Sequence, residues 1–116
     1  MQIRVKLFGE ENPQTAISFN NIAVEYGNLG QNEKSLSFHQ KALDIRRKML
    51  GEEHPETARS YHNIGCCYYS IDDYEKAFEF YQKAYNLRKK LLGDDHKDTM
   101  RSLNELDELK QKLKKK

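Results

Sequence analysis

Apolar positions recur along this chain with helical spacing. Phe19, Ile22, Ala23 and Tyr26 fall at i, i+3, i+4 and i+7, and Tyr61, Ile64, Gly65 and Tyr68 repeat the set 42 residues later. That spacing puts one stripe of side chains on one side of an α-helix. It predicts a helix over about 13–28 and an equivalent one over 55–70. Pro13 and Pro55 suit the first helical position, where a missing N–H costs nothing, and Asn12 is a suitable N-cap. A tight turn follows at Leu29–Gln31, with Gly30 able to take positive φ. In the second unit Asp72 and Asp73 stand there instead, and either can cap the next helix. Second helices are expected over 32–50 and 74–92, each ending in basic residues and stopped by Gly51 or Gly93.

The whole helix–turn–helix unit is repeated. Gly9, Gly51 and Gly93 stand 42 residues apart, each after an apolar, basic segment (IRVKLFG, IRRKMLG, LRKKLLG) and before an acidic one (EEN, EEH, DDH). Between 9–50 and 51–92 the identities include Gly-Glu-Glu, Pro-x-Thr-Ala, Asn-Ile, Glu-Lys and Gln-Lys-Ala, far more than chance supplies. A fixed period of this length signals a stacked array in which each unit buries its apolar face against a neighbour. The expected division is the end of a preceding unit at 1–8, repeat one at 9–50, repeat two at 51–92, and a capping helix with a basic tail at 93–116. The last helix is expected over 98–115, with Leu103 and Leu106 at the apolar places. Asp107 stands where a small residue belongs and Lys110 where tyrosine belongs, so a further helix would meet charge there. Terminal repeats are commonly atypical in this way.

These residues resemble the tetratricopeptide repeat family. The family pattern has an aromatic, then Leu-Gly and Tyr, then Ala-x3-Phe and a second Ala, over about 34 residues. Unit two follows it with Tyr61, Ile64, Gly65, Tyr68, Tyr74, Ala77, Tyr81 and Ala84. Unit one follows it less closely, with Phe19, Ile22, Ala23, Tyr26, Ser35, His39 and Ala42. The 42-residue period and the Gly-acidic-acidic-x-Pro link are similar to the kinesin light chain subclass. The resemblance implies an all-α fold, a right-handed α-solenoid of helix–turn–helix repeats with a C-terminal capping helix. Tyr68, Tyr74 and Tyr81 are then expected in the core rather than in recognition.

Composition narrows the function. The formal charge is +2, but five of the positive charges are Lys110, Lys112, Lys114, Lys115 and Lys116, so the basic balance belongs to the tail. A nucleic-acid footprint needs basic residues clustered on a folded face with aromatics free to stack, and no nucleic-acid partner is expected. No apolar run approaches the roughly 20 residues of a membrane span, and no secretory apolar core opens the chain. Cys66 and Cys67 are adjacent and make no ordinary structural staple, which suits a reducing compartment. The expected location is therefore the cytoplasm.

The sequence holds no phosphate loop, His-Glu-x-x-His or nucleophile elbow, and an enzyme is not expected. His54 and His96 occupy equivalent inter-repeat links, which argues for structural roles. His62 and Cys66 sit four residues apart on one helix face and could present two metal ligands. No second spaced pair completes a set, so neither a metal nor a cofactor is expected, and a cysteine here commonly packs as a small residue.

The resemblance points instead to the inner face of the first helices, which in the family lines a concave groove for an extended or partly helical peptide. The matching positions are Ile17, Asn20, Asn21 and Val24 in unit one, and Arg59, His62, Asn63 and Cys66 in unit two. In the cap they are Arg101, Asn104, Glu105 and Glu108. Asn21 and Asn63, one repeat apart, can each donate to and accept from a peptide backbone, or can bridge neighbouring helices. Arg59 and Arg101 can pair with acidic ligand side chains, although Arg59 can also pair with Glu56. In kinesin light chains the similar groove accepts cargo peptides rich in acidic residues. The expected function is a protein–protein interaction module, an adaptor or scaffold. The alternative is a structural or self-association element, a homo-oligomer pairing through an apolar face near Ile3, Leu7 and Phe8.

Overall fold

The computed structural model describes residues 12–114. Five α-helices occupy nearly all of that span: α1 (Pro13–Asn28), α2 (Asn32–Leu50), α3 (Pro55–Ser70), α4 (Tyr74–Leu92) and α5 (Lys97–Lys114). The end of a preceding unit at 1–8, with Ile3, Leu7 and Phe8, lies outside the described residues, as do Lys115 and Lys116.

Each boundary has a local cause. Asn12 Oδ1 accepts from the Thr15 amide at 2.9 Å, satisfying a free N–H of the first turn of α1. His54 Nδ1 accepts from the Glu56 amide at 3.0 Å, and His96 Nδ1 accepts from the Asp98 amide at 3.0 Å. The equivalent histidines are thus helix caps. Gly30 takes φ 82° between α1 and α2, and Asp72 takes the same left-handed place between α3 and α4 at φ 63°. Asp73 then caps α4 by accepting from the Lys76 amide. The two aspartates divide the work: one makes the turn and the other caps the helix.

Within each unit the two helices are held by one aromatic arrangement. Phe38 packs on Phe19 and stacks with Tyr26, their centroids 5.8 and 5.6 Å apart. One repeat later Phe80 packs on Tyr61 and stacks with Tyr68, at 6.2 and 5.6 Å. Lysines cover the outer faces of these rings at matching places, Lys34 on Tyr26 and Lys41 on Phe19, then Lys76 on Tyr68 and Lys83 on Tyr61.

Each helix packs chiefly on the helix before and the helix after it, as a solenoid requires. Between the units Leu43, Tyr61, Ile64 and Ala84 form one buried cluster, and Ala77, Tyr81, Leu106 and Leu109 form the next. Tyr81 is buried, and Tyr68 and Tyr74 pack against these clusters, so the three tyrosines belong to the core.

The junctions share a further device. Arg46, near the end of α2, is buried and donates to Ser60 Oγ on α3 at 2.9 Å. Arg88, near the end of α4, is buried and donates to Ser102 Oγ on α5 at 2.9 Å. Basic residues expected only to favour the helix C-terminus therefore include one per unit that clamps the next unit.

The last helix departs from expectation on one side. Leu106 is 3% exposed as foreseen, but Leu103 is 42% exposed and Leu109 is fully buried. Tyr61, at the place equivalent to Leu103, is covered by Phe80 of α4. No helix of that kind follows α5 among the described residues, so Leu103 lacks the cover and the buried stripe turns toward α4. Asp107 and Lys110 are exposed, leaving charge on the far side of α5.

Candidate functional site

The first helices of the units, α1, α3 and α5, wall a cleft of about 540 Å³. Asn20 and Val24 contribute from α1, Arg59, His62 and Asn63 from α3, and Arg101 from α5. Glu56, Arg88 and Asp98 also reach it, and Pro55, Leu92 and His96 complete its lining. A smaller cleft of about 270 Å³ between α1, α2 and α3 is lined by Val24, Asn63 and Cys66 among others. Neither includes Ile17, Asn21 or Asn104, which stand exposed on α1 and α5. Glu105 is partly buried, whereas Glu108 is exposed.

The polar groups are partly committed to one another. Asn63 Nδ2 donates to Asn20 Oδ1 at 2.7 Å, tying α3 to α1 across the repeat junction. Asn63 therefore acts as a bridge between helices, using one of its two amide hydrogens there. Asn21, its equivalent by repeat, is exposed. Arg59 lies 3.9 Å from Glu56, with both side chains about half exposed. Such a pair contributes little and leaves the guanidinium available.

Deeper in, His62 joins three helices. Its Nε2 lies 3.5 Å from Cys66 Sγ, its Nδ1 lies 3.2 Å from Glu105 Oε1 on α5, and its ring stacks on Tyr81 of α4 at 5.5 Å. The Glu105 contact is an ion pair off the hydrogen-bond line. Burial works against charge on His62, but Cys66 and Glu105 outweigh it and raise its pKa to about 9. The imidazole is therefore cationic at neutral pH. With Arg59, Arg88 and Arg101 it makes four cationic side chains in the larger cleft, against Glu56 and Asp98. The cleft is electropositive although residues 1–109 carry a net negative charge.

The idea that His62 and Cys66 present two metal ligands does not fit this geometry. The two His62 nitrogens face Cys66 and Glu105 on opposite sides of the ring, so the donors do not converge on one point. Among the described residues no group of three or more His, Cys, Asp or Glu side chains is placed to hold a metal ion. No described helix is long and apolar enough to cross a membrane.

Sequence reasoning did not find Arg88 in the cleft or the partnership of His62 with Glu105. The first had a signal: Arg46 with Ser60 recurs as Arg88 with Ser102 at the repeat offset. The second had none, because Glu105 lies at a place where unit two has Asn63 and its partner is on another helix.

Comparison with known proteins agrees with this architecture. The family model described as tetratricopeptide repeat matches residues 19–90. No curated protein matches. Among solved structures, BtubC (BKLC) from P. vanneervenii is similar with a TM-score of 0.84 at 24% identity, over 93% of this chain and 43% of that one. A Podosopora anserina kinesin light chain candidate with nearly identical TPR-like repeats is similar at 0.78 and 24% identity, over 90% of this chain and 50% of that one. A singly substituted form of that Podosopora anserina protein is similar at 0.80 and 24% identity, over 93% and 51%. The chain thus spans about half the length of the structures it matches. At this identity the likeness is one of fold.

Proposed function

Because the chain belongs to the tetratricopeptide repeat family, a family of protein-interaction scaffolds, we propose that it binds an acidic peptide segment of a partner protein in the cleft between α1, α3 and α5. We read the 42-residue period and its Gly-acidic-acidic-x-Pro link as the kinesin light chain-like form of the repeat. The observation that carries the proposal is the charge of the cleft: Arg59, Arg88, Arg101 and His62 line it, and Glu56 and Asp98 are the acidic residues among its walls. Guanidinium groups pair with carboxylates through two parallel hydrogen bonds, which gives orientation as well as attraction. The solenoid keeps α1, α3 and α5 side by side, so an extended ligand meets all three without reorganising the protein.

A peptide-display selection on the chain, with counter-selection on an Arg59→Glu, Arg101→Glu variant, tests this. Both residues are exposed, so the variant is expected to fold. Enriched peptides should be rich in Asp and Glu, bind more weakly as salt rises, and lose at least about tenfold in affinity on the variant. Enrichment of uncharged peptides that bind the variant equally well would overturn the reading.

A second reading, self-association, is supported by Ile17, Ile22 and Val24, which are 40–45% exposed along α1. Sedimentation equilibrium of the chain and of an Ile22→Asp variant separates the two. A concentration-dependent dimer abolished by the substitution would favour association through α1, and a monomer throughout would exclude it.

A further inference from the structure

Cys66 and Cys67 are neighbours on one helix, yet the fold gives them opposite surroundings. Cys67 is buried, its sulfur 3.5 Å from Ser35 Oγ, and burial pushes its thiol up. Cys66 is only partly buried, and both cysteines line the 270 Å³ cleft between α1, α2 and α3. Its sulfur lies 3.5 Å from His62 Nε2 and 3.4 Å from the Tyr81 hydroxyl, which donates to it. Behind His62, on the far side of the ring, stands Glu105. The groups facing this sulfur thus come from three helices, with His62 on α3, Tyr81 on α4 and Glu105 on α5, and His39 of α2 lines the same cleft. A sulfur with an imidazolium on one side, a hydroxyl donor on another and an open cleft in front is in the setting that activates thiols.

We propose that Cys66 is a modification site for hydrogen peroxide, with His62 as its proton partner and Cys67 unreactive. The Cys66 thiolate attacks the nearer peroxide oxygen. The S–O bond forms as the O–O bond breaks, the sulfur is oxidised by two electrons and the peroxide is reduced. The departing hydroxide takes the proton from His62 Nε2 and leaves as water. The products are Cys66 sulfenic acid, neutral His62 and one water, so protons and electrons balance. The reaction is stoichiometric and reversed by an added thiol. It also removes the positive charge that faces Glu105, so oxidation weakens the seat of α5 on α3.

Burial alone would raise the Cys66 thiol, but the bond and charge of His62, with the Tyr81 hydrogen bond, outweigh it and hold the thiol below its ordinary value. A thiol lowered in this way gains in thiolate fraction and loses a little in intrinsic nucleophilicity, a net gain of about tenfold over a free thiol.

The test uses the full chain in two single-thiol forms, Cys67→Ala and Cys66→Ala. Each is treated with hydrogen peroxide at pH 7, and sulfenic acid is trapped with dimedone and followed by mass spectrometry. The Cys67→Ala form should react about tenfold faster than glutathione, and the Cys66→Ala form should react more slowly than glutathione. Adding His62→Gln to Cys67→Ala should bring the rate down to that of glutathione or below. Should that variant fail to fold, the pH profile of Cys67→Ala decides. A rate already level between pH 7 and 8 supports the proposal, and one climbing about tenfold across that unit, as for an ordinary thiol, overturns it. Equal rates for the two single-thiol forms, or no loss on His62→Gln in a folded protein, would also overturn it.

Discussion

Gly65 lies beneath the ring of Tyr81. A Cβ there would stand 2.6 Å from Cδ1 and 2.8 Å from Cε1 of that buried ring. In the first unit the equivalent places hold Ala23 and His39, both buried, so the smaller ring goes with the larger partner. Gly65→Ala gains up to about 1 kcal/mol of helix propensity but overpacks the crossing, and a net loss of about 1–2 kcal/mol is expected in urea unfolding. Adding Tyr81→His, which rebuilds the first unit's pair, should make the double variant more stable than the sum of the single losses.

His39 makes the other prediction at this scale. Burial, helped by the charge of Arg46, lowers its pKa from 6.5 to about 4. The unfolded chain therefore takes up a proton below pH 6.5 that the folded chain refuses until about pH 4. Stability is full above pH 6.5 and falls as the pH drops through that window, by about 1–3 kcal/mol. His39→Leu, which keeps an apolar group of similar size, should remove this acid limb when unfolding midpoints are compared at pH 7 and pH 5. His62 adds little slope on the alkaline side. Its raised pKa favours holding a proton in the folded state while the lowered thiol of Cys66 favours releasing one, so the two shifts oppose each other.

At the scale of the element, the helices are bounded locally but joined by buried side chains. Arg88 carries its charge into the junction between α4 and α5, where Asp98 and Glu105 favour it against the cost of burial. Ser102 takes one of its hydrogen bonds at 2.9 Å. Arg88→Ala should destabilise the chain by about 2–4 kcal/mol, because it empties the junction and leaves the serine without its partner. Arg88→Met should cost less, since it keeps the stem and sheds the buried charge. A double-mutant cycle with Ser102→Ala should return a coupling of about 1–3 kcal/mol, read from unfolding midpoints. Loss of amide-exchange protection should concentrate in α5, which packs chiefly on α4.

For the whole molecule, stacking creates what no single helix has. The cleft draws Asn20 from α1, Arg59 and His62 from α3, Arg88 from α4 and Arg101 from α5, residues spread over 82 positions of sequence. Its positive character depends on that convergence. Raising the salt from 50 to 500 mM should weaken a bound acidic peptide by about tenfold or more, measured by fluorescence anisotropy, while leaving the fold intact.

The elements and their order were legible in the chain before any packing was known. Helix periodicity, Pro13 and Pro55 at the starts, Gly51 and Gly93 at the stops and the 42-residue repeat are local or periodic signals, and each helix lies where they place it. The same signals brought six of the twelve suggested groove residues, Asn20, Val24, Arg59, His62, Asn63 and Arg101, to the larger cleft, because residues at one repeat position share one face of the stack. What those residues do with one another emerged from the packing of separate helices. Asn63 reaches Asn20 on the preceding unit, and His62 sits between Cys66 and Glu105. Leu109 replaces Leu103 in the core, and two arginines turn inward as clamps. These outcomes depend on which atoms of separate helices come within bonding distance and on what covers each side chain, and neither is encoded in the spacing along one helix.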